Sequence, residues 1–103
     1  MSKNHYILSK SADTDLEEIF EFTLDKFGFQ QAEKYLLELE NVFETLYKNP
    51  SLGKKRNEIK NGLLSFPKDN HVVFYRIVKN HIRVVRVLHG SRDIPNHFLR
   101  FTK

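Results

Sequence analysis

Cysteine and tryptophan are absent from this 103-residue sequence, and glycine (4), proline (3) and methionine (1) are scarce. Without cysteine there is no disulfide framework, no thiolate zinc site and no thiol nucleophile, which fits a reducing compartment; the expected location is cytoplasmic. The five histidines (His5, His71, His81, His89, His97) never stand three or four apart. A helical metal pair is therefore missing, and neither a metal nor a cofactor is expected. Glycine-rich phosphate loops and nucleophile elbows are also missing. No apolar run approaches the roughly 20 residues of a membrane span. The polar start Ser2, Lys3, Asn4, His5 does not read as a signal peptide. No repeat, low-complexity tract or linker interrupts the chain, so a single domain over 1–103 is expected.

The residues present are those of a folded domain: 40% hydrophobic, 29% charged and 13% aromatic. At this size folding hides roughly two-thirds of the unfolded surface, enough for a core without staples. The net charge of +4 conceals a division. Residues 1–50 carry 5 basic and 10 acidic side chains, whereas residues 51–103 carry 12 basic and 3 acidic. One face of the protein should be basic and attract something acidic.

Tyr6, Ile7 and Leu8 form a short strand candidate. Ser9, Ser11 and Asp13 offer oxygens to cap a helix, and Asp15, Glu17 and Glu18 read as solvated carboxylates near its positive end. Leu16, Ile19, Phe20, Leu24 and Phe27 recur at helical spacing, and Gly28 ends the run. A second stripe runs through Ala32, Tyr35, Leu36, Leu39, Val42, Phe43 and Leu46 and stops at Asn49-Pro50. Two helices joined this tightly fold back as a hairpin and need a sheet to cover.

Ser51–Asn61 reads as a loop, and Leu63–Phe66 as a short strand terminated by Pro67. Val72–Val78 and Ile82–Leu88 are β-branched strands joined by a turn. The expected fold is α+β: an N-terminal strand and an α-helical hairpin packed on a mainly antiparallel four-stranded sheet.

With Lys79-Asn80 as the turn, one hairpin face collects Val73, Tyr75, Ile77, Ile82, Val84 and Leu88, with Arg86 at one end. The other collects Val72, Phe74, Val85 and Val87, with Arg76 opposite Arg83. Facing arginines are unfavourable unless a carboxylate or a partner compensates them. That second face needs a cover, either the tail residues Ile94, Phe98 and Phe101 or a partner segment. The tail offers one further chemistry: His89, Arg92 and His97 have the residue types of a metal-free ribonuclease, with an acid, a base and a cation.

Asn61-Gly62-Leu63-Leu64-Ser65-Phe66-Pro67, then His71-Val72-Val73-Phe74-Tyr75-Arg76 and Ile82 to Ile94 through Leu88-His89-Gly90-Ser91-Arg92-Asp93, resemble ParE toxins of the RelE/ParE superfamily. The amino-terminal Leu8-Ser9-x-x-Ala12-x-x-Asp15-Leu16-x-x-Ile19 agrees in type and spacing. The resemblance implies the fold derived above and a toxin of a type II toxin–antitoxin module. It implies no enzymatic activity but inhibition of DNA gyrase through its A subunit, relieved by a cognate ParD-like antitoxin. On this reading Arg86, Arg92, Phe98, Arg100, Phe101 and Lys103 contact the target. Phe22, Val72, Phe74, Arg76 and Arg83 contact the antitoxin. Neither a membrane nor a specific nucleic-acid sequence is an expected partner. RelE-like relatives instead cut messenger RNA on the ribosome. Arg92 matches their catalytic arginine, but Phe98 stands where they have a tyrosine, and Leu63, Ser65 and Val72 stand where they have basic residues. The alternative is such a nuclease using His97 and Arg92.

Overall fold

The computed structural model describes residues 6–90. Strand β1 (Tyr6–Leu8) leads into helix α1 (Lys10–Phe27) and helix α2 (Phe29–Lys48). A 3-10 turn (Pro50–Leu52) precedes β2 (Lys54–Lys55), β3 (Leu64–Lys68), β4 (His71–Val78) and β5 (His81–His89). The sheet order is β1-β5-β4-β3-β2, with β1 parallel to β5 and the other pairs antiparallel. The α+β layering is as expected, but the sheet has five strands rather than four. The extra strand, β2, has two exposed lysines and no apolar alternation, so its sequence carries no strand signal. Lysine on a short edge strand discourages pairing with another chain. Pro67 does not terminate β3, which continues to Lys68. Pro67 pairs with Val72 on one side, while β2 reaches no further than Leu64 and Ser65 on the other, so the missing N–H is tolerated at a local edge.

Both helices start and stop for local reasons. The Ser9 hydroxyl caps α1 by accepting from the Ala12 N–H at 2.9 Å. Gly28 separates the helices at φ +93, a conformation that favours glycine. The core lies between the carboxyl half of α2 (Leu39, Phe43, Leu46), the start of α1 (Ala12, Leu16) and the sheet (Val73, Tyr75, Ile82, Val84, Val87). Tyr6 meets Phe43 edge-on at 5.1 Å. The α2 stripe is buried or half-buried as expected, but the α1 stripe leaves the core partway. Leu24 is exposed, and Phe27 is 68% exposed, because the hairpin tip extends past its cover.

The β4–β5 register contains a bulge. Tyr75 pairs with Val84 but Phe74 pairs with Arg86, leaving Val85 as the extra residue. From there the face assignment reverses relative to strict alternation. Val87 joins the helix-side core and Leu88 packs on the other face with Leu63 and Phe74. This corrects the expected face sets for Val87 and Leu88. The turn itself is as expected, with Val78 opposite His81.

Candidate functional site

The start of α1 and the bulge are bound together. The Ser9 N–H donates to the Val84 carbonyl (2.9 Å) and its hydroxyl to the Val85 carbonyl (2.7 Å). Asp15 accepts a bidentate pair from Arg86, with Nη2 at 2.7 Å and Nε at 2.8 Å, and also takes the Val87 N–H at 3.0 Å. Backbone groups released by the bulge thus find partners on the helix, as burial requires. Asp15 and Arg86 are each 7% exposed. Two expectations change here. Asp15 is not a solvated first-turn acid, and Arg86 is not a surface group offered to a target.

Beside this pair runs a groove of about 1270 Å³ between α1, the start of α2, the β3–β4 turn and the end of β5. Ile19, Phe22 and Phe27 form its apolar wall, while Lys10, Glu18 and Asp69 give it a charged rim. Phe22 (60%) and Phe27 (68%) are largely exposed, as is Phe29 (58%) just past Gly28, whose ring packs edge-on against Phe20 at 6.2 Å. Lys26 lies 5.8 Å over the Phe22 ring.

Tyr35, His71 and His89 form the polar end of the groove. The Tyr35 hydroxyl donates to the Lys68 carbonyl at 3.2 Å and lies 2.8 Å from His71 Nδ1. His71 faces His89 across the strand pair, ring centroids 5.5 Å apart. Burial, reinforced by His89, lowers the His71 pKa. Burial and then Asp69 push the Tyr35 phenol up to about 12. Both therefore favour the neutral form near pH 7, suited to hydrogen bonding rather than charge pairing. Among the described residues no cluster of three metal-ligating side chains exists.

The opposite sheet face is covered in part by the segment read as a loop. Ile59 packs on Leu63, Phe74 and Leu88, and the Arg56 guanidinium lies 5.9 Å over the Phe74 ring. Arg56 also donates to Ser65 Oγ at 3.2 Å. Phe74 is 0% exposed and Val72 is half-buried, so Phe74 in particular is inside the protein rather than in an open partner groove. Arg76 and Arg83 are paired across the strands as expected. Of the expected site residues among those described, the structure brings Phe22 and Arg86 to the groove, Arg86 held there by Asp15. Arg92, His97, Phe98, Arg100, Phe101 and Lys103 lie outside the described residues.

Sequence reasoning missed Asp15, Tyr35, His71, Phe27 and Phe29 as groove or helix-tip residues. Two aromatics flanking Gly28 gave a usable signal, since a tight joint cannot bury both. Tyr35 and His71 gave none, because they meet only through tertiary packing.

Residues 6–94 match the family model described as ParE toxin of type II toxin-antitoxin system, parDE. Toxin ParE1 of Mycobacterium tuberculosis (strain ATCC 25618 / H37Rv) is 39% identical over 95 residues, covering 91% of this chain and 97% of the relative. Toxin ParE1 of Caulobacter vibrioides is 33% identical over 92 residues, 89% and 95% of the respective chains. The solved chromosomal ParDE toxin–antitoxin system of P. aeruginosa has the same fold, with a TM-score of 0.73 at 16% identity, covering 84% of this chain and 95% of that one.

Proposed function

The chain belongs to the ParE toxin family of type II toxin–antitoxin systems, and from that premise we propose that it poisons DNA gyrase and is neutralised by a ParD-like antitoxin. The observation that carries the antitoxin half is the overhanging helix tip. Exposed Phe22, Phe27 and Phe29 around a groove with a charged rim suit an amphipathic partner that brings apolar anchors and charged flanks. The partner's helix lies along α1, with Phe22 as one anchor.

The target half rests on family membership and on the basic carboxyl-terminal half of the chain. Arg92, Phe98, Arg100, Phe101 and Lys103 are the proposed contacts to the gyrase A subunit, and Arg86 is withdrawn from that set. The non-enzymatic reading has support from the sheet: Leu63 and Ser65, where nuclease relatives carry basic residues, are buried and offer no cation to a substrate. The protein's action is then occupancy of a protein target rather than bond cleavage.

Supercoiling by purified gyrase tests the reading. Adding the protein should inhibit the reaction and accumulate cleaved DNA, and a stoichiometric antitoxin should restore it. Undisturbed supercoiling together with in-frame transcript cleavage in induced cells would replace it with the nuclease reading through His97 and Arg92. Phe22→Ala should weaken antitoxin binding at least tenfold; unchanged affinity removes Phe22 from the interface.

A further inference from the structure

We propose that the sheet face turned away from the helices docks duplex DNA through its phosphates, independently of sequence, with Arg76 and Arg83 as the central clamp. The two arginines are direct Cα partners on β4 and β5, so their side chains leave the same face. No carboxylate pairs with either one among the described residues. Like charges held opposite each other lower stability, and among the described residues no ion pair offsets that cost. The Arg76 guanidinium extends towards Gly62, where an added Cβ would lie 3.4 Å from Nη2.

The basic surface continues along the sheet. Lys54 pairs with Ser65 and Ser65 with Phe74, which places Lys54 on the same face as Arg76, two residues beyond Phe74. Lys79 stands in the adjoining turn. Residues 51–90 contain only Glu58 and Asp69 as acids. Glu58 is held by Arg56 at 2.7 Å, and Asp69 sits at the far end of β4 with Lys68 at 3.0 Å. From β5 to β2 is three strand spacings, roughly 14 Å. That matches a run of a few phosphates, which lie roughly 3.4 Å apart along the axis of each strand.

Three features select duplex DNA over other acidic partners. An acidic peptide needs apolar anchors, yet Leu63, Phe74 and Leu88 are sealed beneath Ile59, and Ile7 beside Arg83 is the exposed large aliphatic residue at this edge. Single-stranded nucleic acid is bound on aromatic platforms, and Phe74, the aromatic of this face among the described residues, is 0% exposed. A duplex backbone needs neither: guanidinium forks bind phosphate oxygens, and released counterions drive association. The groove lies against the start of β4 and the end of β5, away from Arg76 and Arg83, so an antitoxin seated there does not occupy those two arginines.

The proposal stands apart from the gyrase reading, because binding is measured without gyrase. The full chain is titrated against a labelled 20-base-pair duplex by fluorescence anisotropy from 50 to 200 mM KCl. Affinity should fall with salt, and R76Q/R83Q should bind at least tenfold more weakly at 50 mM. The slope of log affinity against log salt should decrease by about 2, near 0.9 per lost phosphate contact. K34Q/K48Q, which removes two charges from the helical layer, should stay within twofold. Circular dichroism should show all three proteins equally folded. Absence of duplex binding overturns the proposal. So does an unchanged affinity or slope in R76Q/R83Q, or equal binding of a single strand or a polyglutamate peptide.

Discussion

Arg83 and Arg86 stand three residues apart on one strand, and the fold treats the two guanidiniums in opposite ways. Arg86 is turned inward onto Asp15, which holds it by two bonds while also taking the Val87 N–H. Arg83 is exposed opposite Arg76, with no carboxylate on either among the described residues. The bulge at Val85 lies between them. Chemically identical side chains thus serve the interior at one end of the hairpin and remain available for a partner at the other. Charge counting on the sequence cannot separate these fates. Burial and partners do.

The contrast is broken most severely by removing one partner of the interior pair. Asp15→Ala leaves a buried guanidinium without its carboxylate and should cost about 3–5 kcal/mol, read from the urea midpoint. Replacing both groups, as in D15L/R86M, should cost far less, because no buried charge remains. Equal losses in the single and double variants would mean that the pair acts only through packing. Ser9→Ala should cost about 1–2 kcal/mol, since it removes a helix cap and the hydroxyl bond to the bulge carbonyl together. A change below a few tenths would detach the bulge from the helix start.

His71 sharpens the comparison through pH. Its pKa is lowered in the folded state, so the unfolded chain takes up the proton first as pH falls. Stability from this group is complete above its ordinary value of about 6.5 and declines as pH drops from there towards the folded value. His71→Gln should flatten the urea midpoint between pH 7.5 and 5; an identical profile would assign the decline to other groups. The smallest effect belongs to the open pair. Relieving its repulsion in R76Q/R83Q should raise stability by a few tenths of a kcal/mol at low salt, and the gain should shrink as salt screens the pair.

Much of this architecture was legible before any coordinates. The α2 stripe, the Gly28 joint and the Lys79-Asn80 turn follow from periods of 3.6 and 2 and from local backbone preferences. The bulge was not legible, because one extra residue in an unbroken run of valines and arginines leaves the pattern looking regular. Nor was β2, two lysines whose strand character comes entirely from β3 beside it. Asp15 looked like an ordinary first-turn acid, since any carboxylate there suits the helix dipole. Only its partner, 71 positions away, marks it as interior. At the candidate site, Phe22 falls outside the Leu16, Ile19, Phe20, Leu24 and Phe27 stripe, and that spacing alone turns it away from the core. Tyr35 and His71 carried no comparable mark.

The stitches between α1 and the bulge also set an order of events during synthesis. Ser9 reaches Val85 across 76 positions and Asp15 reaches Arg86 across 71, so the beginning of the helical layer has no fixed seat until β5 has been made. Loop closure of that length is slow compared with forming the helices themselves. A ribosome therefore releases the aromatic helix tip well before the sheet that orients it, and a partner that recognises only that tip meets the nascent chain ahead of the finished surface.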